Sequence, residues 1–279
     1  MTIADRFPAV PVLAWRPHLG VALLAVAAGS VRRSRAAAMT AATLGLAAAV
    51  PAALHRRRPG HRPLPSPDDL AVLVLNVWHG RADPAALAAL VRRERPDLVV
   101  LPEAGPGYRL RILPLLPDHR GLAALAPGAR DGWGVTVLAG PRAAGVVLEA
   151  GHEMRLPHVR AGGGLLGHRA LYAVHTTAPA RPGTVRLWRD ELRTAAAWSA
   201  GGAIVAGDVN ATVDHRLLRA VGRSAGPVGV ATWPTRLPRW AGIRIDHVLL
   251  PDGVRCTGAS VHDVPGSDHR AVLARLRIR

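Results

Sequence analysis

Gly266-Ser267-Asp268-His269-Arg270, read together with Ile245-Asp246-His247 upstream, is the stretch on which the reading of this chain turns. Asp246 lies in the middle of an apolar run from Gly242 to Leu250. Asp268 and His269 come just before a second apolar run, Ala271 to Leu276. Acidic groups beside a His make a proton-handling or phosphate-gripping site if they converge. An Asp-His dipeptide alone also occurs on solvated turns. The motif gains meaning only if matching pieces sit at the ends of other strands.

Those pieces are present upstream. Leu70 to Val77 is a continuous apolar run carrying Asn76 near its end, the pattern of a strand buried on both faces. Asp83-Pro84 then starts a helix, with Asp as N-cap and Pro at the first position. Leu98 to Leu101 is a second buried strand followed by Glu103. Two strands joined by a helix form a parallel unit, which places Asn76 and Glu103 at one edge of the sheet. An Asn and a Glu at neighbouring strand ends can share a hard cation such as Mg²⁺, which takes oxygen ligands. Gly134 to Ala139, Gly145 to Glu149, Arg155 to Arg160 and Arg169 to His175 read as further strands, the last delivering His175. Thr184 caps a helix whose stripe of Val185, Trp188, Leu192 and Ala196 reads as core. Ala203 to Ala206 ends in Gly207-Asp208-Val209-Asn210, and period-two spacing puts Asp208 and Asn210 on one side. Trp233 reads as a packing anchor in preference to a substrate contact.

Composition sets outer bounds. The chain has 279 residues, with 36 basic against 19 acidic ones and a formal charge of +17. Every basic residue is Arg, in a sequence rich in Ala, Gly and Pro. Such charge means either solvated surface or an anionic partner: nucleic acid, phospholipid or a phosphorylated substrate. The single Cys256 excludes an internal disulfide framework and a Cys-based zinc site.

Within residues 1–54, which read as a membrane anchor, residues 7–54 are Ala-rich and apolar, broken by Arg16 and by Arg32, Arg33 and Arg35. The run Ala36 to Leu54 would make a helix near the ~30 Å thickness of a bilayer core. Pro17 to Val31 is shorter. Together they predict an N-terminal transmembrane helical hairpin with an Arg-rich tip, against the alternatives of a signal peptide or two soluble Ala-rich helices. Residues 55–67 read as a basic, Pro-rich linker, and residues 68–279 as the catalytic domain. With the Arg-rich tip in the cytoplasm, the protein would sit in the cell membrane with that domain extracytoplasmic.

Asn76, Pro96-Asp97-Leu98-Val99-Val100-Leu101-Pro102-Glu103, Ala173-Val174-His175, Gly207-Asp208-Val209-Asn210, Ile245-Asp246-His247 and Ser267-Asp268-His269 occur in that order. This series resembles the endonuclease/exonuclease/phosphatase superfamily, over about residues 70 to 279. The hairpin-plus-domain layout looks most like its VanJ-type membrane-anchored members. The resemblance implies a four-layer α/β sandwich with two central mixed β-sheets and metal-dependent cleavage of a phosphoester. It implies Mg²⁺, or Mn²⁺, held by Glu103 with Asn76 and Asp268 close by. It pairs His269 with Asp246 at the phosphate. Asp208 would orient the attacking water or protonate the leaving oxygen, and Asn210 and His175 would hold phosphoryl oxygens. His247 and Arg270 should point away from that pocket. Two positions depart from the family pattern: Trp78 stands where an acidic residue is common, and Pro102 where Gln is common.

The function expected from all this is a membrane-anchored phosphoesterase acting on a lipid-linked phosphate or headgroup. A Mg²⁺-dependent nuclease acting on DNA or RNA and a non-catalytic module binding anionic ligands are the alternatives.

Overall fold

The computed structural model describes residues 3–56, 66–227 and 229–278. Three helices come first: α1 (Ala9–Ala14), α2 (Arg16–Ser30) and α3 (Arg35–Arg56). β1 (Leu70–Val74), α4 (Pro84–Glu94) and β2 (Leu98–Pro102) form the expected unit, with β1 and β2 parallel. Then come α5 (Pro106–Ile112), β3 (Arg120–Ala124), β4 (Val135–Ala139), β5 (Val147–Gly151), β6 (His158–Gly162) and β7 (Ala170–His175). The chain continues through α6 (Pro182–Ala200), β8 (Ile204–Asp208), α7 (Arg216–Val221) and β9 (Arg223–Ala225). It closes with β10 (Asp246–Leu250), β11 (Val254–His262) and β12 (Ala271–Ile278).

The strands make two six-stranded mixed sheets, ordered β11-β12-β1-β2-β4-β3 and β5-β6-β7-β8-β10-β9. Side-chain alternation builds the layers. Leu70, Val72 and Val74 of β1 point inward and meet Val159, Leu171, Ile204 and Val248 of the other sheet in the central core. The alternate residues, Leu73 and Leu75, point outward against Leu87, Leu90 and Val91 of α4 and Tyr108 of α5. On the far side Val205 and Leu249 pack under Val185, Trp188 and Leu192 of α6. The result is the expected sandwich of helices, sheet, sheet and helices.

Local chemistry sets the ends. The Asp83 side chain accepts the Ala85 N–H at 2.9 Å and caps α4. α6 starts at Pro182, ahead of the expected cap. Thr184 sits inside the first turn, where its hydroxyl accepts the Arg181 N–H at 3.0 Å. Asp246 is the first residue of β10, not its middle, because Gly242 to Ile245 precede the ladder.

The topology aims one end of both sheets at a common point. β1 and β2 run parallel, as do β7 and β8, so Asn76, Glu103, His175 and Asp208 all fall at or just past C-terminal strand ends. β10 and β12 run antiparallel to their neighbours and therefore begin at that same end, at Asp246 and just after His269.

The N-terminal helices differ from expectation. α2 and α3 pack closely, and Gly20 and Gly45 leave no room for a side chain: a Cβ on Gly20 would lie 2.9 Å from the Gly45 carbonyl oxygen. Among the described residues, however, no helix is long and apolar enough to cross a membrane. α2 has 15 residues, or about 22 Å of helix. Its first residue, Arg16, is ion-paired with Asp214 of the sandwich and so tied to protein at that end. The two-span anchor is therefore not supported. The linker expected over 55–67 lies for the most part outside the described residues.

Candidate active site

Asn76 lies between two paired peptides: the Leu75 N–H donates to Val100 O at 3.0 Å and the Val77 N–H to Pro102 O at 3.0 Å. Its side chain is thereby fixed. The amide Nδ2 donates to Glu103 Oε1 at 2.9 Å and to Asp208 Oδ2 at 3.0 Å, while Oδ1 accepts the Trp78 N–H at 2.9 Å. As placed, Asn76 is a donor bridging two carboxylates and keeps its oxygen turned to Trp78. Glu103 turns off β2 in a left-handed conformation, φ 61°. Its Oε2 accepts from the His79 backbone at 2.7 Å and lies 2.9 Å from the His79 ring. Trp78, His79, Glu103 and Asn210 are all non-glycine residues with positive φ, and all line one cleft. Backbone strain of this kind concentrates at sites where side-chain placement matters more than local comfort.

The partnership between the two opening motifs is present. His269 Nδ1 lies 2.8 Å from Asp246 Oδ2, and both residues are buried. Thr232 supports the pair, its hydroxyl accepting the Asp246 N–H at 3.2 Å. Ser267 ties the loop down: its hydroxyl donates to Asn76 O at 2.7 Å and accepts the His269 N–H at 3.0 Å. The Trp233 indole donates to Asp268 Oδ2 at 3.1 Å, so this ring anchors a carboxylate and also lines the cleft.

His269 Nε2 points at Asp208 Oδ2, 3.9 Å away, and at Asp268 Oδ1, 3.8 Å away. His175 Nε2 points at the same Asp208 oxygen at 3.9 Å and at Glu103 Oε1 at 3.8 Å. These separations exceed hydrogen-bond length. They leave a gap, bounded by three carboxylates and two imidazoles, into which a further group fits. Asp268 Oδ1 is buried and has no hydrogen-bond partner among the described residues.

Electrostatics sharpen the pattern. Burial pushes the Asp208 carboxyl up to about 6, and the neighbouring Asp246 carboxylate adds to the rise. Burial opposes charge on the His269 ring, but Asp246, then Asp208 and Asp268, outweigh it and raise the ring to about 10. His247 and Arg270 turn away, as expected. The His247 ring bonds Ala211 O and Ser224 Oγ, and burial together with Arg244 lowers it to about 4. Arg270 is spent on Asp263 and on loop carbonyls.

The residues that could hold a hard cation are the oxygen donors Glu103 and Asp268, with Asn76 beside them. An unpartnered buried carboxylate oxygen in an acidic cleft suits Mg²⁺ or Mn²⁺. Asp208, Asp246 and His269 also bring ligand atoms within 4.8 Å of one another. In that trio the His269 ring is hydrogen-bonded to Asp246 through Nδ1, an arrangement that also suits proton handling.

The sequence reading placed Asp208 and Asn210 on one strand face. In fact β8 stops at Asp208, and Asn210 adopts φ 47°. It still reaches the cleft, because its N–H caps Asp208 Oδ1 at 3.0 Å and its amide donates to Thr176 O at 2.9 Å. His79, Thr232 and Ser267 hold the site's carboxylates and loop without a motif of their own that marks them for it. Ser267, inside the Ser-Asp-His motif, was the one with a visible signal.

Two central mixed sheets carrying a carboxylate–histidine cleft at one end define a class of α/β-sandwich hydrolase folds. The model of the endonuclease/exonuclease/phosphatase family matches residues 73–269, and the chain belongs to that family. Among solved structures, an endonuclease/exonuclease/phosphatase from Beutenbergia cavernae is similar at 21% identity and TM-score 0.55, covering 75% of this chain and 72% of that one. D. rerio TDP2 complexed with single strand DNA product is similar at 15% identity and TM-score 0.55, covering 75% and 99%. The mannosyl-6-phosphatase Bt3783 of Bacteroides thetaiotaomicron is similar at 12% identity and TM-score 0.53, covering 75% and 100%. At such identities the likeness is one of fold. No curated protein matches the chain. The narrower VanJ-type likeness is not reached by these matches.

Proposed function

We propose that this chain is a metal-dependent phosphoesterase whose catalytic unit is residues 68–279. The observation that carries the reading is the convergence of Glu103, Asn76, Asp208, His175 and the Asp246–His269 pair on one cleft of about 540 Å³. Glu103 and Asp268 would hold a divalent cation such as Mg²⁺ or Mn²⁺, with Asn76 adjacent. Bound there, the cation supplies charge neutralisation at the phosphoryl oxygens.

The chain's own groups do the rest. His269, charged and fixed by Asp246, donates from Nε2 to a phosphoryl oxygen. Asp208, ionised above about pH 6, holds a water for in-line attack and accepts its proton as the water oxygen bonds phosphorus, while the P–O bond to the ester oxygen breaks and that oxygen takes up a proton from solvent. His175 and Asn210 flank the phosphoryl group and limit its orientations.

The test is a panel of p-nitrophenyl phosphate, bis(p-nitrophenyl) phosphate, mannose 6-phosphate and single-stranded DNA, incubated with the full chain in Mg²⁺, Mn²⁺ or EDTA. Hydrolysis should require the cation, and Glu103→Gln should lose at least ~10²-fold in rate, the cost of a major electrostatic stabiliser. Undiminished turnover in EDTA would sink the proposal. A nuclease reading draws on the fold shared with TDP2 in complex with DNA product, and the DNA arm tests it. A lipid-linked substrate at a membrane has no support from the N-terminal helices and is not part of the proposal.

A further inference from the structure

The cleft has two chemically different parts. Its floor is the carboxylate–imidazole cluster. Much of its wall is apolar, and part of that wall comes from outside the sandwich: Pro11, Ala14 and Trp15 line it on the side of Trp233, Ile243 and Ile245. The Trp15 ring meets Trp233 edge-on with centroids 6.3 Å apart, and Trp233 in turn lies 6.5 Å from the His269 ring. The apolar wall therefore starts one ring away from the group that would face a phosphoryl oxygen.

The N-terminal contribution is held in place. Val10 is fully buried in the core beneath α6 and α7. The His215 Nδ1 accepts the Thr212 N–H at 2.9 Å, which leaves Nε2–H to donate to the Val10 carbonyl at 2.9 Å. Arg16 pairs with Asp214, two residues past Thr212. A buried side chain, a backbone tie and an ion pair on either side of Pro11–Trp15 make this wall preformed.

Charge points the same way. Among the described residues lining the cleft, Arg155 is the sole arginine, in a chain of +17 net charge. A polynucleotide backbone calls for several cations strung along its path. An apolar wall next to one carboxylate–imidazole cluster calls for a single phosphate on a small apolar or aromatic group.

We propose that Pro11, Ala14 and Trp15 complete the cleft as an apolar subsite, and that Trp15 selects monophosphate esters of small apolar or aromatic groups. This rests on the phosphoesterase reading above and adds a substrate class to it. Phosphonates separate the two, because their C–P bond is not hydrolysed and binding is read without turnover. Calorimetric titration of the full chain in Mg²⁺ should show phenylphosphonate binding at least ~10-fold tighter than methylphosphonate, the worth of a few buried carbons. Trp15→Ala should cut that ratio below about 3-fold, on the same burial arithmetic. Ala14→Asp, which puts a charge in the wall without removing a ring, should do the same, and thermal melts of both variants show whether they remain folded. Equal affinities in the unaltered protein, binding of neither phosphonate, or a ratio that survives both substitutions in folded protein would overturn the proposal. So would a single-stranded oligonucleotide that binds more tightly than phenylphosphonate. A phosphonate preference without hydrolysis anywhere in the substrate panel would instead strike the enzymatic reading alone.

Discussion

Replacing Asp246 by Asn changes one charge and almost no volume, and its effect can be worked from the geometry. In the folded protein burial penalises a charged His269, and Asp246 at 2.8 Å leads the carboxylates, with Asp208 and Asp268, that together more than offset that penalty. The rise from 6.5 to about 10 corresponds to about 5 kcal/mol of preference for the protonated ring. Breaking a buried pair by removing one partner costs about 3–5 kcal/mol, a comparable figure. With Asn at this position the amide can still orient the ring, but burial then weighs against Asp208 and Asp268 alone, and the ring should lose its proton at a lower pH than in the unaltered protein. Turnover at pH 8 should fall ~10²–10³-fold, the scale of one fixed transition-state charge. The alkaline limb of the rate profile should move from about 10 toward neutrality. His269→Ala should cost more, since it removes the ring itself. The linkage sign is fixed: a raised histidine stabilises the fold below 6.5 and loses that contribution as pH rises through about 10. The stability gap between wild type and Asp246→Asn should therefore close in strong alkali. Imidazole NMR titration, with pH–rate profiles and melts for both proteins, measures all three quantities. A wild-type His269 that titrates near its ordinary value, or an alkaline limb unmoved by the substitution, would refute the pairing as the source of charge.

Two further outcomes follow from the same cleft. Because Asp208 is ionised only above about 6, kcat should rise through that pH; Asp208→Asn should abolish this acid limb and lower the rate ~10²–10⁴-fold, with the cation bound as before by calorimetry. Gly207 has φ 148° and a Cβ there would overlap the Val174 carbonyl oxygen across the β7–β8 pair, so Gly207→Ala should lose more than ~3 kcal/mol in chemical denaturation, and a wild-type melting curve would contradict the register described for these strands.

The strands that carry the site were readable because their chemistry is local. Leu70–Val74, Leu98–Pro102 and Ile204–Asp208 are buried on both faces, so their sequences are unbroken apolar runs. A polar residue at the end of such a run stands out, and Asn76, Glu103 and Asp208 did. β11 was not readable. Val254–His262 is an edge strand with a register shift between Cys256 and Gly258, and its mixed residues show no period. β3, Arg120–Ala124, is also an edge strand, with only one of its five residues buried. Asn210 reached the cleft by a left-handed turn that period-two reasoning cannot produce.

The N-terminal segment failed for a different reason. Hydropathy counts how apolar a run is, and an Ala-rich run scores alike whether lipid, solvent or protein surrounds it. What decides among these is contact between distant parts of the chain. Val10 is buried in a core built by α6 and α7, and His215, 205 positions later, donates a hydrogen bond to its carbonyl. Arg16, read from sequence as an interruption in an apolar run, is half of an ion pair with Asp214. Trp15, between them, carried no motif at all, yet its ring is set against Trp233 beside Asp268 and His269. The groups expected to act on a phosphate are legible because chemistry restricts which residues can do it. The wall facing the rest of a substrate can be built from any apolar residue at any point in the chain. Only the folded arrangement brings Pro11, Ala14 and Trp15 to the lining of this cleft.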